Sequence, residues 1–253
     1  MTGGGHILIT GAAGRIGRLL MERLPEEGWT TRGCDISAGC DIVAADITDL
    51  KSMVAVCAGA QTVIHLAATP NAKPGWRTVN RLNIDGTKTV LEAARQAGVQ
   101  RFLFASSIHT VGGYPADTPL GPDMHPNPSG LYGISKIAGE ALLRLYAAQT
   151  DMACVAIRIC SFRPKPENRR ELKTWLSYDD CVRLFSSCLS TPMEGYQMIW
   201  GVSANTGLFI DDPTARACGY HPRDDAYAYA QSVVQSGADW PFIGGPVNRS
   251  ALT

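Results

Sequence analysis

The stretch LYGISKIAGE (131–140) sets Tyr132 four residues ahead of Lys136 at the start of a helical pattern. Side chains at i and i+4 stand one above the other on any helix, so the spacing suits two residues of an amphipathic face as well as a catalytic pair. As a pair they have a definite chemistry. An ammonium beside a phenol lowers the phenol's pKa from its usual ~10, and the phenolate takes a proton from a substrate hydroxyl while hydride leaves for a cofactor. Ser107, just past the apolar run RFLFAS (101–106), is placed to hold the substrate oxygen. Such a trio needs a hydride acceptor beside it and a scaffold that brings the three side chains together.

The scaffold reads as alternating strands and helices. HILIT (6–10), TTRGCD (30–35), DIVAAD (41–46), TVIHLAA (62–68), RFLFAS (101–106) and ACVAIRI (153–159) are the expected strands. Helices are expected over 14–24, from a cap at Thr48 or Asp49 through Cys57, over 79–97, and from Tyr132 to Thr150. This alternation predicts a parallel sheet covered on both faces, with ligands beyond the carboxyl ends of the strands. The stretch YPADTPLGPDMHPNPSG (114–130) holds five prolines and is expected to be a functional loop. After 160 the rhythm fades, apart from a helix at 179–190 and a strand at 198–202. The expected fold class is therefore α/β, a Rossmann-type doubly wound parallel sheet with a small C-terminal substrate-side region. Residues 1–160 form the nucleotide-binding core and 161–253 pack on it in a single structural unit.

Directly after the first strand, ITGAAGRIGRLL supplies Gly11, Gly14 and Gly17 at the opening of a helix. Such a turn lets backbone approach a pyrophosphate, and the helix N-terminus offers N–H groups and a positive dipole end to the phosphates. Arg15 and Ile16 belong to the same turn. Asp35, 18 residues after Gly17, ends the second strand; a carboxylate there accepts hydrogen bonds from an adenosine ribose and repels a 2′-phosphate, favouring NAD over NADP. Arg15 and Arg32 weigh the other way, and Asp35 equally suits a plain strand end. Ile36 follows it. Asp46, with Ile47, reaches the adenine edge or serves as a simple turn acid. Leu66, Ala67, Ala68 and Ile159 lie at strand ends on the same side, and Asn83 is expected to position backbone at the nicotinamide end.

Composition narrows the partners. The 253 residues are 45% apolar and carry 23 basic and 23 acidic side chains, so no net field draws in nucleic acid or an anionic membrane. No secretory signal and no 18-residue apolar run is evident. Among the eight cysteines there is no CxxC pair and no zinc-type spacing with histidine, so no metal is expected; Cys34, Cys57, Cys154 and Cys160 read as reduced core thiols of a cytoplasmic protein.

TGAAGRIG, Asp35, HLAA (65–68), NIDGT (83–87), FASS and YGISK occur in an order that resembles the extended short-chain dehydrogenase/reductases. FASSIHTVGGYP, LGPD, LYGISK, RICSF, RPKPENRRELKTWLSYDD and WGVSANT further resemble bacterial uronate dehydrogenases, through about Asp225. The resemblance implies NAD-dependent oxidation of the anomeric hydroxyl of a galacturonate- or glucuronate-like acid to an aldarolactone, by a homo-oligomer. It implies Tyr132 as base, Lys136 as its partner and a ribose contact, and Ser107, Ile108, His109 and Ser161 at the sugar. Arg170 is implied at the carboxylate, a role its planar fork suits. Read on their own, Arg170 is equally one more charge in a charged stretch, and His109 an ordinary loop histidine. Ile108 and Pro70 stand where these dehydrogenases have asparagine and serine. Losing two such hydrogen bonds, at about 1–3 kcal/mol each, leaves room for another lactol or hydroxy acid. A nucleotide-sugar epimerase or dehydratase is the alternative enzyme class, and it calls for a larger C-terminal domain.

Overall fold

The carboxyl ends of four parallel strands line up at one edge of a sheet. In the computed structural model, which describes residues 6–70, 75–121, 124–207, 210, 212–234 and 240–245, β1 (His6–Thr10) pairs with β2 (Thr30–Asp35) and with β4 (Thr62–His65). The registers set Thr10 opposite both Cys34 and His65, and β4 pairs with β5 (Arg101–Ser107) so that His65 lies opposite Phe104. Between these strands run α1 (Arg15–Glu26), β3 (Ile42–Ala44), α2 (Leu50–Cys57), α3 (Gly75–Val79) and α4 (Gly86–Gln96). Helix α5 (Leu131–Gln149), β6 (Ala153–Ile159), β7 (Ser161–Phe162), α6 (Glu171–Thr174), β8 (Trp175–Leu176), α7 (Tyr178–Ser190), β9 (Tyr196–Gly201), α8 (Pro213–Ala217) and α9 (Ala230–Val234) follow. The seven-stranded sheet has the order β3-β2-β1-β4-β5-β6-β9, and β7 pairs with β8 in parallel. This is the Rossmann-type α/β fold expected.

Strand sequences explain their places. Leu8 and Ile9, Val63 and Ile64, and Phe102 and Leu103 are fully buried, as is every residue of β6. Near-continuous apolar runs are what strands covered on both faces require. Asp49 starts α2, its carboxylate accepting from the N–H groups of Lys51 and Ser52. The expected 79–97 helix begins earlier and is interrupted: between α3 and α4, Asn80–Asp85 widens into a π-helix.

The chain groups into two compact units, Met1–Ala105 with Ser135–Ala156 and Pro192–Gln197, and Ser106–Ile134 with Ile157–Thr191 and Met198–Thr253. This is not the single cut near residue 160 that the rhythm suggested, because the segment from Ser106 to Ile134 groups with the later residues. In the second unit, Ile108, Val111, Leu120, Cys160, Trp200, Val202 and Ile243 form an apolar cluster. The proline-rich segment is held on both sides: Gly113 N–H donates to Asn127 O and Asn127 N–H to Thr110 O, while Ile243 N–H donates to Tyr114 O and Ala116 N–H to Pro241 O. Among the described residues no helix is long and apolar enough to cross a membrane.

Candidate active site

In the first unit, a cavity of about 350 Å³ opens where β1, β2 and β4 end. Gly11 and Gly14 floor it, Asp35 and Ile36 come from the end of β2, Asp46 and Ile47 from the turn after β3, and Leu66, Ala67 and Ala68 from the end of β4. Ala45, Thr69, Arg81 and Leu82 line it too, and sequence reasoning missed these four. Arg81 and Leu82 belong to the π-helix, whose widened turn has no simple sequence mark. Arg15, Ile16, Gly17, Asn83, Lys136 and Ile159 do not line it.

The turn at Gly11 needs glycine for two reasons. Its φ is +72°, and a Cβ there would stand 2.6 Å from the amide nitrogen of Ala67. Gly17 serves packing instead: a Cβ would meet Gly11 O at 2.3 Å, so its absence lets α1 press on the turn. Asp35 accepts from Ala13 N–H at 2.9 Å through one oxygen and from Ile36 N–H at 2.8 Å through the other. Arg32 is turned away, its guanidinium donating to Val56 O and to Ala58 O. Asp46 is the turn acid its sequence context allowed, and it faces the cavity. It closes its own turn by accepting from Thr48 N–H and hydroxyl, which with Arg81 at 3.6 Å holds its carboxyl below the usual range. A backbone-floored turn at a helix start, a carboxylate at the second strand and an arginine tied elsewhere fit a dinucleotide without a 2′-phosphate.

Beneath this cavity, Asn83 is buried and clamps the loop after β4. Its side-chain oxygen accepts from Thr69 N–H at 2.8 Å, and its amide donates to Thr69 O and to Ser135 Oγ. Thus Asn83 positions backbone. Lys136 is 2% exposed with Nζ 4.7 Å from the centre of the Phe104 ring, and burial draws its pKa down to about 7 against the opposing pull of Glu140.

The second unit carries Ser107, His109, Tyr132, Ser161 and Arg170. Ser107 ends β5, accepts from His109 N–H at 3.2 Å and hydrogen-bonds Tyr132. The His109 ring meets the Tyr132 ring edge-on at 5.7 Å and is fixed by Ser129 Oγ, 2.9 Å from Nδ1. Burial, then the Arg170 charge, push His109 down to about 4, so it is a neutral imidazole at physiological pH. Burial pushes the Tyr132 phenol up to about 12, against the Ser107 hydrogen bond. Burial of both groups opposes the expected acidification of Tyr132 by Lys136. Both groups are desolvated, and a lysine that titrates near 7 holds only part of its charge at neutral pH.

Arg170 is partly buried at the start of α6. It donates through Nη1 to Ile243 O at 3.0 Å and lies 3.6 Å from the Glu171 carboxylate, yet its buried Nε meets no acceptor among the described residues. Ser161 Oγ is 2.9 Å from Thr174 Oγ1, which Arg170 also approaches at 3.4 Å. Ile108 departs from expectation: it is 3% exposed inside the apolar cluster around Trp200, where its side chain packs instead of presenting to a polar ligand. Pro70 lies exposed at the end of the loop after β4. No cluster of metal-ligating side chains occurs among the described residues.

A glycine turn at a helix start, a carboxylate at the end of the second strand and strand ends aligned along one edge define a dinucleotide-binding protein of the Rossmann class. Residues 7–192 match the model of the NAD dependent epimerase/dehydratase family. The uronate dehydrogenase of Agrobacterium fabrum is 37% identical over 91% of this chain and 89% of its own. The NAD-dependent glucose-6-phosphate dehydrogenase of Haloferax volcanii is 33% identical over 96% and 98%. The crystal structure of a variant uronate dehydrogenase from Agrobacterium tumefaciens complexed with NAD superposes with a TM-score of 0.89, at 35% identity over 95% of this chain and 96% of that one. The chain belongs to the NAD dependent epimerase/dehydratase family.

Proposed function

We propose that this protein is an NAD-dependent dehydrogenase that oxidises the anomeric hydroxyl of a uronic acid, of the galacturonate or glucuronate kind, to the aldarolactone. The observation that carries the substrate class is Arg170, a partly buried cation whose Nε has no acceptor among the described residues and whose charge reaches His109, the ring packed edge-on against Tyr132. A carboxylate satisfies that donor and neutralises that charge. The two curated relatives support an anionic sugar, since uronate and glucose 6-phosphate both carry their anionic group away from C1.

NAD, when bound, accepts the hydride released from C1. Tyr132 takes the proton of the anomeric hydroxyl as that oxygen closes a double bond to C1, and Ser107 holds the oxygen in place. Lys136, one helical turn on from Tyr132, holds the cofactor ribose and favours the phenolate when protonated. His109, as a neutral imidazole, and Ser161 meet sugar hydroxyls. Gly11, Gly14, Asp35, Ile36, Asp46, Ile47 and the 66–68 backbone hold the dinucleotide. Eight cysteines outside any disulfide support a cytoplasmic site of action, and the exposed Ile134 and Leu145 of α5 support assembly with further copies of the chain.

NAD reduction measured with galacturonate, glucuronate, glucose 6-phosphate and galactose tests the reading, with Arg170→Ala in parallel. The variant is expected to lose kcat/KM for the uronates by on the order of a hundredfold, the ~3 kcal/mol of a charge-assisted bond, with far less loss for galactose. Equal losses for acids and galactose reject the role of Arg170, and turnover of glucose 6-phosphate alone rejects the carboxylate.

A further inference from the structure

The second unit holds a cavity of about 450 Å³ that is larger than the one contact with Arg170 assigned above. Arg170 stands on its wall, beside Arg169 and Lys173, and no carboxylate is among the described residues that line it. Its other walls set Leu120, Ile243, Tyr227 and Trp240 beside the hydroxyls of Thr118, Thr174 and Thr206. Tyr227 is 67% exposed, a large aromatic surface left at the rim. Neither Ser107 nor Tyr132 lines this space, whereas Arg170 does, and so does Thr174, whose hydroxyl is 2.9 Å from Ser161 Oγ.

We infer that this cavity receives a second sugar unit joined to O4 of the uronic acid, so that the enzyme acts on the reducing end of a 4-linked uronide. The inference rests on the reading of Arg170 as the carboxylate partner. In a pyranose, C4 lies across the ring from C1, and C5, next to C4, carries the carboxylate. With the carboxylate at Arg170, O4, on the carbon next to the one that bears it, comes to the Arg170 side of the cavity. Volume decides what hangs there. At about 450 Å³ the space falls within the ~300–1,000 Å³ of sites that enclose whole small molecules, and a methyl ether would leave it mostly empty. Wall chemistry agrees, because a sugar ring has an apolar C–H face for Tyr227 and Trp240 and a polar edge for the cations. Arg169 and Lys173 add two positive charges, which suits a second carboxylate.

The test compares kcat/KM of the whole enzyme for galacturonate and for its 4-linked dimer, digalacturonate, followed by NADH formation. A value for the dimer above that of the monomer, or no more than about tenfold below it, supports the inference. A larger deficit overturns it while leaving uronate oxidation intact, and no NADH from either sugar overturns both. Ala230→Trp, which fills the cavity from α9, is expected to cut the dimer-to-monomer ratio by about tenfold or more. An unchanged ratio in a variant that melts as a folded protein overturns the assignment to this cavity. Should that variant fail to fold, the comparison with the unaltered enzyme decides alone.

Discussion

Lys136 shows how far a side chain's local company sets its chemistry. It is buried against the Phe104 ring, and desolvation brings an ammonium of ordinary pKa 10.5 down to about 7. The consequence for stability has a definite sign. Between pH 7 and 10.5 the unfolded chain binds a proton at this lysine that the folded chain does not, so stability rises with pH across that window. Below 7 both states are protonated and the burial penalty is present in full. Replacing the lysine by methionine removes the penalty. Lys136→Met should therefore melt above the unliganded parent at pH 7, by more than the roughly 2–4 °C that 1 kcal/mol is worth in a chain of this size. The gap should close toward pH 10.5. Melting curves across this range check it, and a constant or widening gap would contradict the assigned titration. Residue-scale reading of the sequence reaches what is local, as in placing Asp35 at the end of β2, and is open where the chemistry depends on a distant partner. Arg32 competes for a 2′-phosphate on paper, but its guanidinium is committed to Val56 O, a residue 24 positions away.

Elements obey the same division. The strand, turn and helix from His6 to Glu26 declare themselves because every requirement lies within neighbouring residues: a buried apolar run, a positive φ at Gly11, and a packing contact at Gly17. The π-helix over Asn80–Asp85 stayed hidden, since its residues keep a helical pattern and the wider turn answers to Asn83, which must reach Thr69 and Ser135. The same holds for Gly133, which lies one residue after Tyr132 and reads as a weak spot in a helix. In the structure its missing Cβ is required: a methyl there would stand 2.3 Å from His109 O and 3.0 Å from Pro128 Cβ. Thus α5 starts pressed against the turn that carries His109, and this fixes where the phenol of Tyr132 points. Gly133→Ala is expected to cost about 1–3 kcal/mol of stability, the usual range for overpacking. Because Tyr132 shifts with the helix start, kcat should fall by about tenfold or more while NAD affinity changes little. Denaturation midpoints, kcat and NAD titration separate these effects. Full activity with unchanged stability would show that the turn can move aside.

At the scale of the whole molecule, what the sequence conveyed best was the alternation that builds the sheet, and least the assembly of the second unit from 106–134 and the residues after Ile157. Its parts are tied by long-range bonds with no local mark, such as Asp212, which caps α8 through Ala215 N–H and also accepts from Trp200 N–H. The cysteines report on packing in both units at once. Cys34, Cys57, Cys154, Cys160, Cys181, Cys188 and Cys218 are buried and Cys40 is exposed, and none of the eight is in a disulfide. Burial also pushes thiols up, Cys34 to about 11 and Cys57, Cys154 and Cys160 to about 12, so that little thiolate forms at neutral pH. A disulfide reagent attacks only accessible thiolate. The native protein should therefore release one equivalent in a fast phase, from Cys40, and the remaining thiols should react only as the chain opens, with all eight available in denaturant. Cys40→Ser should abolish the fast phase and leave the slow one. A second fast equivalent would mean that one of the two units is looser than its packing implies, and mass mapping of the labelled cysteine would show which.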